Sequence, residues 1–214
     1  MSALLFHNAS QVVTCAGPAR ARRGSEMGDA QVRRDVGVLV VGDRIAMVGP
    51  PDELERARPD AAPVDCGRGL LTPGLVDSHT HAVFGRARYE EQEMRAAGVA
   101  YMEIARRGGG IHASVRDVRM RGTDDLVALA EVRLRRLASY GTTTVEVKSG
   151  YGLTVDDEVK LLRAIARVAE RVPMRLIPTW LGAHEVPAEH RERGDGGASY
   201  VKLLVYEMLP TITA

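Results

Sequence analysis

The stretch Gly74-Leu75-Val76-Asp77-Ser78-His79-Thr80-His81 decides how this chain is read. It closes an apolar run, Leu70–His81, that is broken by Pro73-Gly74 and ends in polar residues. A short apolar run bounded by turn residues predicts a strand. Side chains along a strand alternate between faces, so His79 and His81 are expected to project to one side. Two neutral imidazoles converging from a strand end suit a single divalent metal ion, Zn²⁺ or Fe²⁺. A bare His-x-His pair is weak evidence by itself, and the surrounding sequence must support it.

Downstream, strand and helix patterns alternate. Helical spacing runs over Ala87–Arg107 and over Asp124–Tyr140, where Leu126, Leu129, Ala130, Val132, Leu134 and Leu137 supply a buried stripe. Gly141 follows as a helix-ending residue. The β-branched Thr142–Val147 reads as a strand. Asp156–Val172 reads as a helix with Thr154 as N-cap and Pro173 beyond its end. Arg175–Trp180 is strand-like, and Tyr200–Leu209 is helix-like up to Pro210. This alternation is the signature of parallel βα units. A closed (β/α)₈ barrel takes about 250 residues and carries its active site at the C-terminal strand ends. Residues 69–214 suffice for about three or four such units, so either the fold is a smaller open sheet or the chain stops before its barrel closes.

Upstream, residues 1–68 read as a small antiparallel β-domain of the sandwich type. Leu4–Thr14 is rich in β-formers, and Ala16–Ala30 is a loop rich in Gly, Ala and Arg. Val36–Val41 and Arg44–Val48 flank Gly42-Asp43, a hairpin signal closed by Gly49-Pro50-Pro51.

Composition limits the partners. With 29 Lys+Arg against 28 Asp+Glu, the 214-residue chain has no net field to draw nucleic acid or an anionic membrane. The first residues, Met1–Asn8, lack the basic and apolar regions of a secretory signal, and no stretch reaches the roughly 18 apolar residues of a membrane span. Cys15 and Cys66 stand far apart without metal-knuckle spacing, as free thiols of a cytoplasmic protein would.

Several segments together resemble the amidohydrolase superfamily and, within it, the imidazolonepropionases. They are Leu71–His81, Val83-Phe84-Gly85 with Arg88, Tyr101–Ala105 leading to Gly108–Ile111, Gly141–Leu153 containing Val147-Lys148-Ser149-Gly150-Tyr151-Gly152, and Leu181–Pro187 containing Gly182-Ala183-His184. The small β-domain ahead of the barrel is also typical of the superfamily. The resemblance implies an α/β fold: an N-terminal β-domain followed by the first βα units of a TIM-like (β/α)₈ amidohydrolase barrel. It implies hydrolysis of a cyclic amide C–N bond, opening 4-imidazolone-5-propanoate to N-formimidoyl-L-glutamate in histidine degradation. By the same resemblance His79 and His81 are metal ligands, Arg88 grips the propanoate, Tyr151 hydrogen-bonds the substrate or product, and His184 contacts the ring. A third His, a catalytic Glu and an Asp ligand stand in later strands of the family, beyond Ala214, so no catalytic residue is assigned within this chain.

Taken alone, Arg88 reads as a surface residue, Tyr151 as a loop aromatic and His184 as a loop brace. Glu146 and Lys148 share a face of one strand and read as a structural ion pair. Gly108–Gly110 reads as a turn near the site, because no strand leads into it as in a phosphate loop. His7, His112 and His190 receive no role. The partner expected is a small-molecule substrate; a homodimer is compatible with the sequence but no interface is legible. Two other readings stay open: another amidohydrolase, such as a cytosine or guanine deaminase, and a non-catalytic remnant. The first would share His-x-His without Lys-Ser-Gly-Tyr-Gly and Gly-Ala-His; the second would hold metal weakly. The purified 214-residue chain is expected to show no turnover of imidazolonepropanoate, followed by loss of its absorbance; turnover near that of a full-length enzyme would overturn the incomplete-barrel reading.

Overall fold

The structure, a computed structural model, describes residues 2–214, the Ala105 side chain excepted. Its contacts divide the chain into two units, Met1–Pro73 and Gly74–Ala214.

The first unit contains β1 (Ala3–His7), β2 (Gln11–Val13), β3 (Val32–Arg33), β4 (Gly37–Val41), β5 (Arg44–Gly49), α1 (Pro51–Ala57), β6 (Ala62–Asp65) and β7 (Leu70–Leu71). The predicted hairpin is β4–β5, with Gly42 at φ 62° in the two-residue loop. The sheets are mixed rather than antiparallel: β1 pairs in parallel with β6, and β2 in parallel with β7. The long loops between those partners allow parallel returns, which pattern reading of single strands does not register. Because β7 belongs to this unit, the unit runs past residue 68. Alternation along β4 explains the two small cores. Leu39 packs with Leu5 and Leu54 on one face, and Val38 packs with Val12 and Val36 on the other.

The second unit contains β8 (Leu75–Thr80), α2 (Tyr89–Ala96), α3 (Tyr101–Arg106), α4 (Ile111–Met120), α5 (Thr123–Ser139), β9 (Thr142–Lys148), α6 (Val155–Ala169), β10 (Arg175–Thr179), α7 (Ala188–Arg191), α8 (Ala198–Leu203) and α9 (Leu209–Thr213). Strands β8, β9 and β10 form one sheet with β9 in the middle, and both pairings are parallel. Val145 and Val147 of β9 are fully buried under Leu126, Ala130 and Leu134 of α5 and Leu161, Ala164 and Ile165 of α6. The opposite face of β9 carries Thr144, Glu146 and Lys148. Among the described residues β8 and β10 each have one strand neighbour only, and Leu75 and Val76 are 55% and 70% exposed. This is the unclosed barrel sheet expected.

Local signals explain the helix ends. Thr154 caps α6 by accepting from the Asp157 amide at 3.2 Å, and Gly141 ends α5 at φ 91°. Two expectations need correction. Ala87–Arg107 is not one helix but α2 and α3, separated at Gly98, whose φ of 84° no right-handed helix accommodates. The helical run from Ala198 does not stop at Pro210 but continues to Thr213 through a π turn at Leu204–Met208. The turn restarts the ladder so that Pro210 falls in a first turn, where its missing N–H costs no bond. Helix α4 was not anticipated at all.

Leu161 lies at the centre of the helix–sheet core with no exposed surface. Leu161→Ala is expected to destabilise the second unit by about 2–5 kcal/mol, read as a lowered denaturant midpoint at unchanged slope.

Candidate functional site

The C-terminal ends of β8, β9 and β10 lead into the segments that carry His81, Tyr151 and His184. In-register pairing sets their common level: Thr80 opposes Val147, and Lys148 opposes Thr179. The β8–β9 register shifts between Asp77 and Thr80, so the alternation assumed for this strand does not hold strictly. At the irregularity the Thr80 hydroxyl donates to the Glu146 carbonyl at 2.6 Å. His79 is exposed, while His81 follows the strand end and is half-buried. Their ring centroids are nevertheless only 5.6 Å apart.

Four of the five predicted site residues form one aromatic cluster. The His81 ring stacks on His184 at 4.6 Å with 12° between planes, and Tyr151 lies 4.9 Å from His81 and 5.4 Å from His184. Arg88 is drawn in by a cleft of about 420 Å³ whose wall includes Arg88, Glu91, Tyr101, Tyr151, His184 and Glu185. The Arg88 guanidinium contacts Glu91 at 3.3 Å, and Glu91 also accepts from the Gly110 amide at 3.0 Å. Gly108 and Gly110, at φ 84° and 73°, thus form a turn beside this cleft. A neighbouring cleft of about 330 Å³ shares Arg88 and Glu91 but contains no imidazole or phenol. The cleft of about 420 Å³ is the one that brings Arg88, Tyr151 and His184 together.

Burial pushes the His81 imidazole down to about 4, with the adjacent His184 and His79 acting in the same direction, so its ring is neutral near pH 7. Its Nδ1 is buried without a hydrogen-bond partner. A buried nitrogen lone pair left unclaimed is rare enough to require an explanation, and a metal ion supplies one. Among the described residues no group of three or more His, Cys, Asp or Glu is placed to hold a metal. His184 Nδ1 lies 2.9 Å from the Gly150 carbonyl and must carry the proton there, leaving Nε2 to the cleft. Burial pushes the Tyr151 phenol up, opposed by Arg88, so it stays protonated.

Glu146 and Lys148 form the expected ion pair at 2.6 Å, with Thr179 donating to the same carboxylate oxygen at 2.6 Å. Lys148, and then Thr179, hold the Glu146 carboxyl below the usual range. His190 has a structural setting: its Nδ1 meets the Ser199 hydroxyl at 2.8 Å and its ring faces Tyr200.

Sequence reasoning missed the side chains that brace the loops. Arg133 of α5 donates to the carbonyls of Phe84 at 2.5 Å, Gly85 at 2.6 Å and Ala82 at 3.2 Å, and lies 3.5 Å over the Phe84 ring. The Tyr200 hydroxyl donates to the Gly182 carbonyl at 2.6 Å, in the turn before His184. The helical stripe shows where Arg133 lies on α5, but not which carbonyls come within its reach.

Comparison with known proteins follows this geometry. The chain is 47% identical to an imidazolonepropionase of Symbiobacterium thermophilum over 214 residues, covering 99% of this chain and 49% of that protein. It is 45% identical to the imidazolonepropionase of Chloroflexus aggregans over 207 residues, covering 97% and 48%. Over its whole length the chain is similar to imidazolonepropionases. It spans about half the length of these relatives. No family model matches the chain. Among solved structures, a triazine hydrolase of Arthrobacter aurescens superposes with a TM-score of 0.53 at 21% identity, covering 84% of this chain and 36% of that one. A zinc complex of atrazine chlorohydrolase from the same species gives 0.52 at 22% identity, covering 83% and 35%. The chain shares its α/β fold with these two hydrolases over most of its length, in line with the parallel βα units read from the sequence. No helix among the described residues is long and apolar enough to cross a membrane.

Arg133→Ala is expected to lower stability by roughly 1–2 kcal/mol, because a half-buried charged donor to three carbonyls is removed. Amide exchange should quicken first in residues 82–88, and unchanged exchange there would show the contacts to be incidental.

Proposed function

We propose that the chain forms part of the site of a metal-dependent imidazolonepropionase, an enzyme that opens the ring of 4-imidazolone-5-propanoate to N-formimidoyl-L-glutamate. One observation carries the reading: Arg88, Tyr151 and His184 share one cleft, and His81 is stacked on His184 with its Nδ1 unclaimed. The 38–47% identity to imidazolonepropionases over nearly all of this chain favours this substrate over other cyclic amides.

His79 and His81 would hold one divalent ion, Zn²⁺ or Fe²⁺, together with further ligands. When bound, such an ion lowers the pKa of a water to about 7 and polarises a carbonyl. The remaining work belongs to the cleft. Arg88 binds the propanoate through two parallel N–H bonds, which a planar guanidinium provides and an ammonium does not. The protonated Tyr151 hydroxyl donates to a ring heteroatom. His184, with its Nδ1–H engaged by the Gly150 carbonyl, offers Nε2 to the substrate ring, close to the carbonyl oxygen on which charge develops as water adds, before the C–N bond opens. The stacked rings of His81 and His184 and the Tyr151 ring exclude water from one side of the planar substrate.

The test is binding. Titration of the purified chain with Zn²⁺ or Fe²⁺, followed by the His ring resonances, is expected to perturb His79 and His81, and His81→Ala should abolish the response. Unaltered metal binding in that variant would sink the metal assignment. Arg88→Lys is expected to weaken binding of 3-(imidazol-4-yl)propanoate at least tenfold, about 1.4 kcal/mol, in calorimetry. An unchanged affinity would remove Arg88 from the site.

A further inference from the structure

Glu158 is a fully buried carboxylate in the first turn of α6, and the roles above leave it unused. Its Oε1 accepts from the amides of Gly152 at 2.8 Å, Leu153 at 2.9 Å and Gly150 at 3.2 Å, and its Oε2 accepts from Gly150 at 3.1 Å. Three of the four residues of Gly150–Leu153 therefore point their N–H groups at one side chain. The fourth residue is Tyr151.

This segment leaves β9 after Ser149 and reaches α6 at Val155, so neither a strand ladder nor a helix satisfies its amides. Its backbone is unusual. Gly150 has a φ of 100°, and Leu153 has a φ of 59°, a left-handed conformation that an L side chain rarely adopts. The packing leaves no slack: a Cβ at Gly152 would meet the backbone of Asp157 and Glu158 at 2.6 Å, and one at Gly150 would meet the Leu181 carbonyl at 2.8 Å. Such a turn persists only when its surroundings over-determine it.

A carboxylate fits this task in a way a carboxamide does not. It is acceptor-only, with about four lone-pair sites, and here it meets donors only. A glutamine would turn an NH₂ toward one of the converging N–H groups.

We infer that Glu158 is a positioning residue for the candidate site: it holds the Gly150–Leu153 turn so that the Tyr151 ring stays against His81 and His184 in the cleft. The inference rests on the reading of that cleft as the substrate site, and the experiment separates the two. Glu158→Gln is compared with the unaltered chain by NMR and calorimetry. Exchange of the Gly150, Gly152 and Leu153 amides should quicken at least tenfold while Val145 and Val147 of β9 keep their protection. The Tyr151 ring resonances should move toward those of a solvated tyrosine as the ring currents of His81 and His184 are lost. Affinity for 3-(imidazol-4-yl)propanoate should fall about tenfold.

If the three amides and the Tyr151 resonances are unchanged, the inference is wrong. It is also wrong if exchange quickens but probe affinity stays the same, since the contact is then structural only. If the unaltered chain does not bind the probe, the substrate reading of the cleft fails, and the exchange rates with the Tyr151 signature decide on Glu158 alone. Should Glu158→Gln not fold, Glu158→Asp keeps the charge one methylene further back; it should show the same changes at smaller amplitude, and their absence overturns the inference.

Discussion

Parallel pairing of β9 between β8 and β10 places three strand ends at one level, and the candidate site depends on that alignment. Burial of Val145 and Val147 beneath α5 and α6 fixes which face of β9 looks inward to the helices. A slip of one residue in register would turn those valines to the opposite face and carry Glu146 and Lys148 into the apolar layer. The register that protects the core is therefore the register that brings His81, Tyr151 and His184 within 5.4 Å of one another.

Alignment of strand ends does not by itself hold the loops that follow them. Each of the three is gripped by a side chain from a later helix, and the chemistry of the grip matches what the loop presents. The segment after β8 presents carbonyls and meets the guanidinium of Arg133. The segment after β9 presents amides and meets the carboxylate of Glu158. The turn after β10 presents a single carbonyl and meets the hydroxyl of Tyr200. Glu158 and Tyr200 are also electrically linked: burial, and then the Glu158 charge, push the phenol well above its ordinary value, so it remains a donor. Buried polar groups satisfied in this way rigidify what they touch, because breaking one contact strands a desolvated partner.

The sequence by itself determined the βα order, the hairpin at Gly42-Asp43, the caps at Thr154 and Gly141, and the Glu146–Lys148 pair. These follow from local periodicity and from conformations that few residues adopt, and so are written in neighbouring positions. Similarity to imidazolonepropionases was equally legible, because His79-Thr80-His81, Lys148–Gly152 and Gly182–His184 are short contiguous segments. Only the tertiary structure decided the mixed pairing of the first unit, the break at Gly98 within an otherwise helical spacing, and the passage of a helix through Pro210. It alone decided that Arg88 faces the same cleft as Tyr151 and His184, and that Arg133, Glu158 and Tyr200 secure the loops. The physical reason is reach: Arg133 meets carbonyls some fifty positions earlier in the chain, and no local pattern specifies which distant backbone groups a long polar side chain will find once the sheet has aligned them.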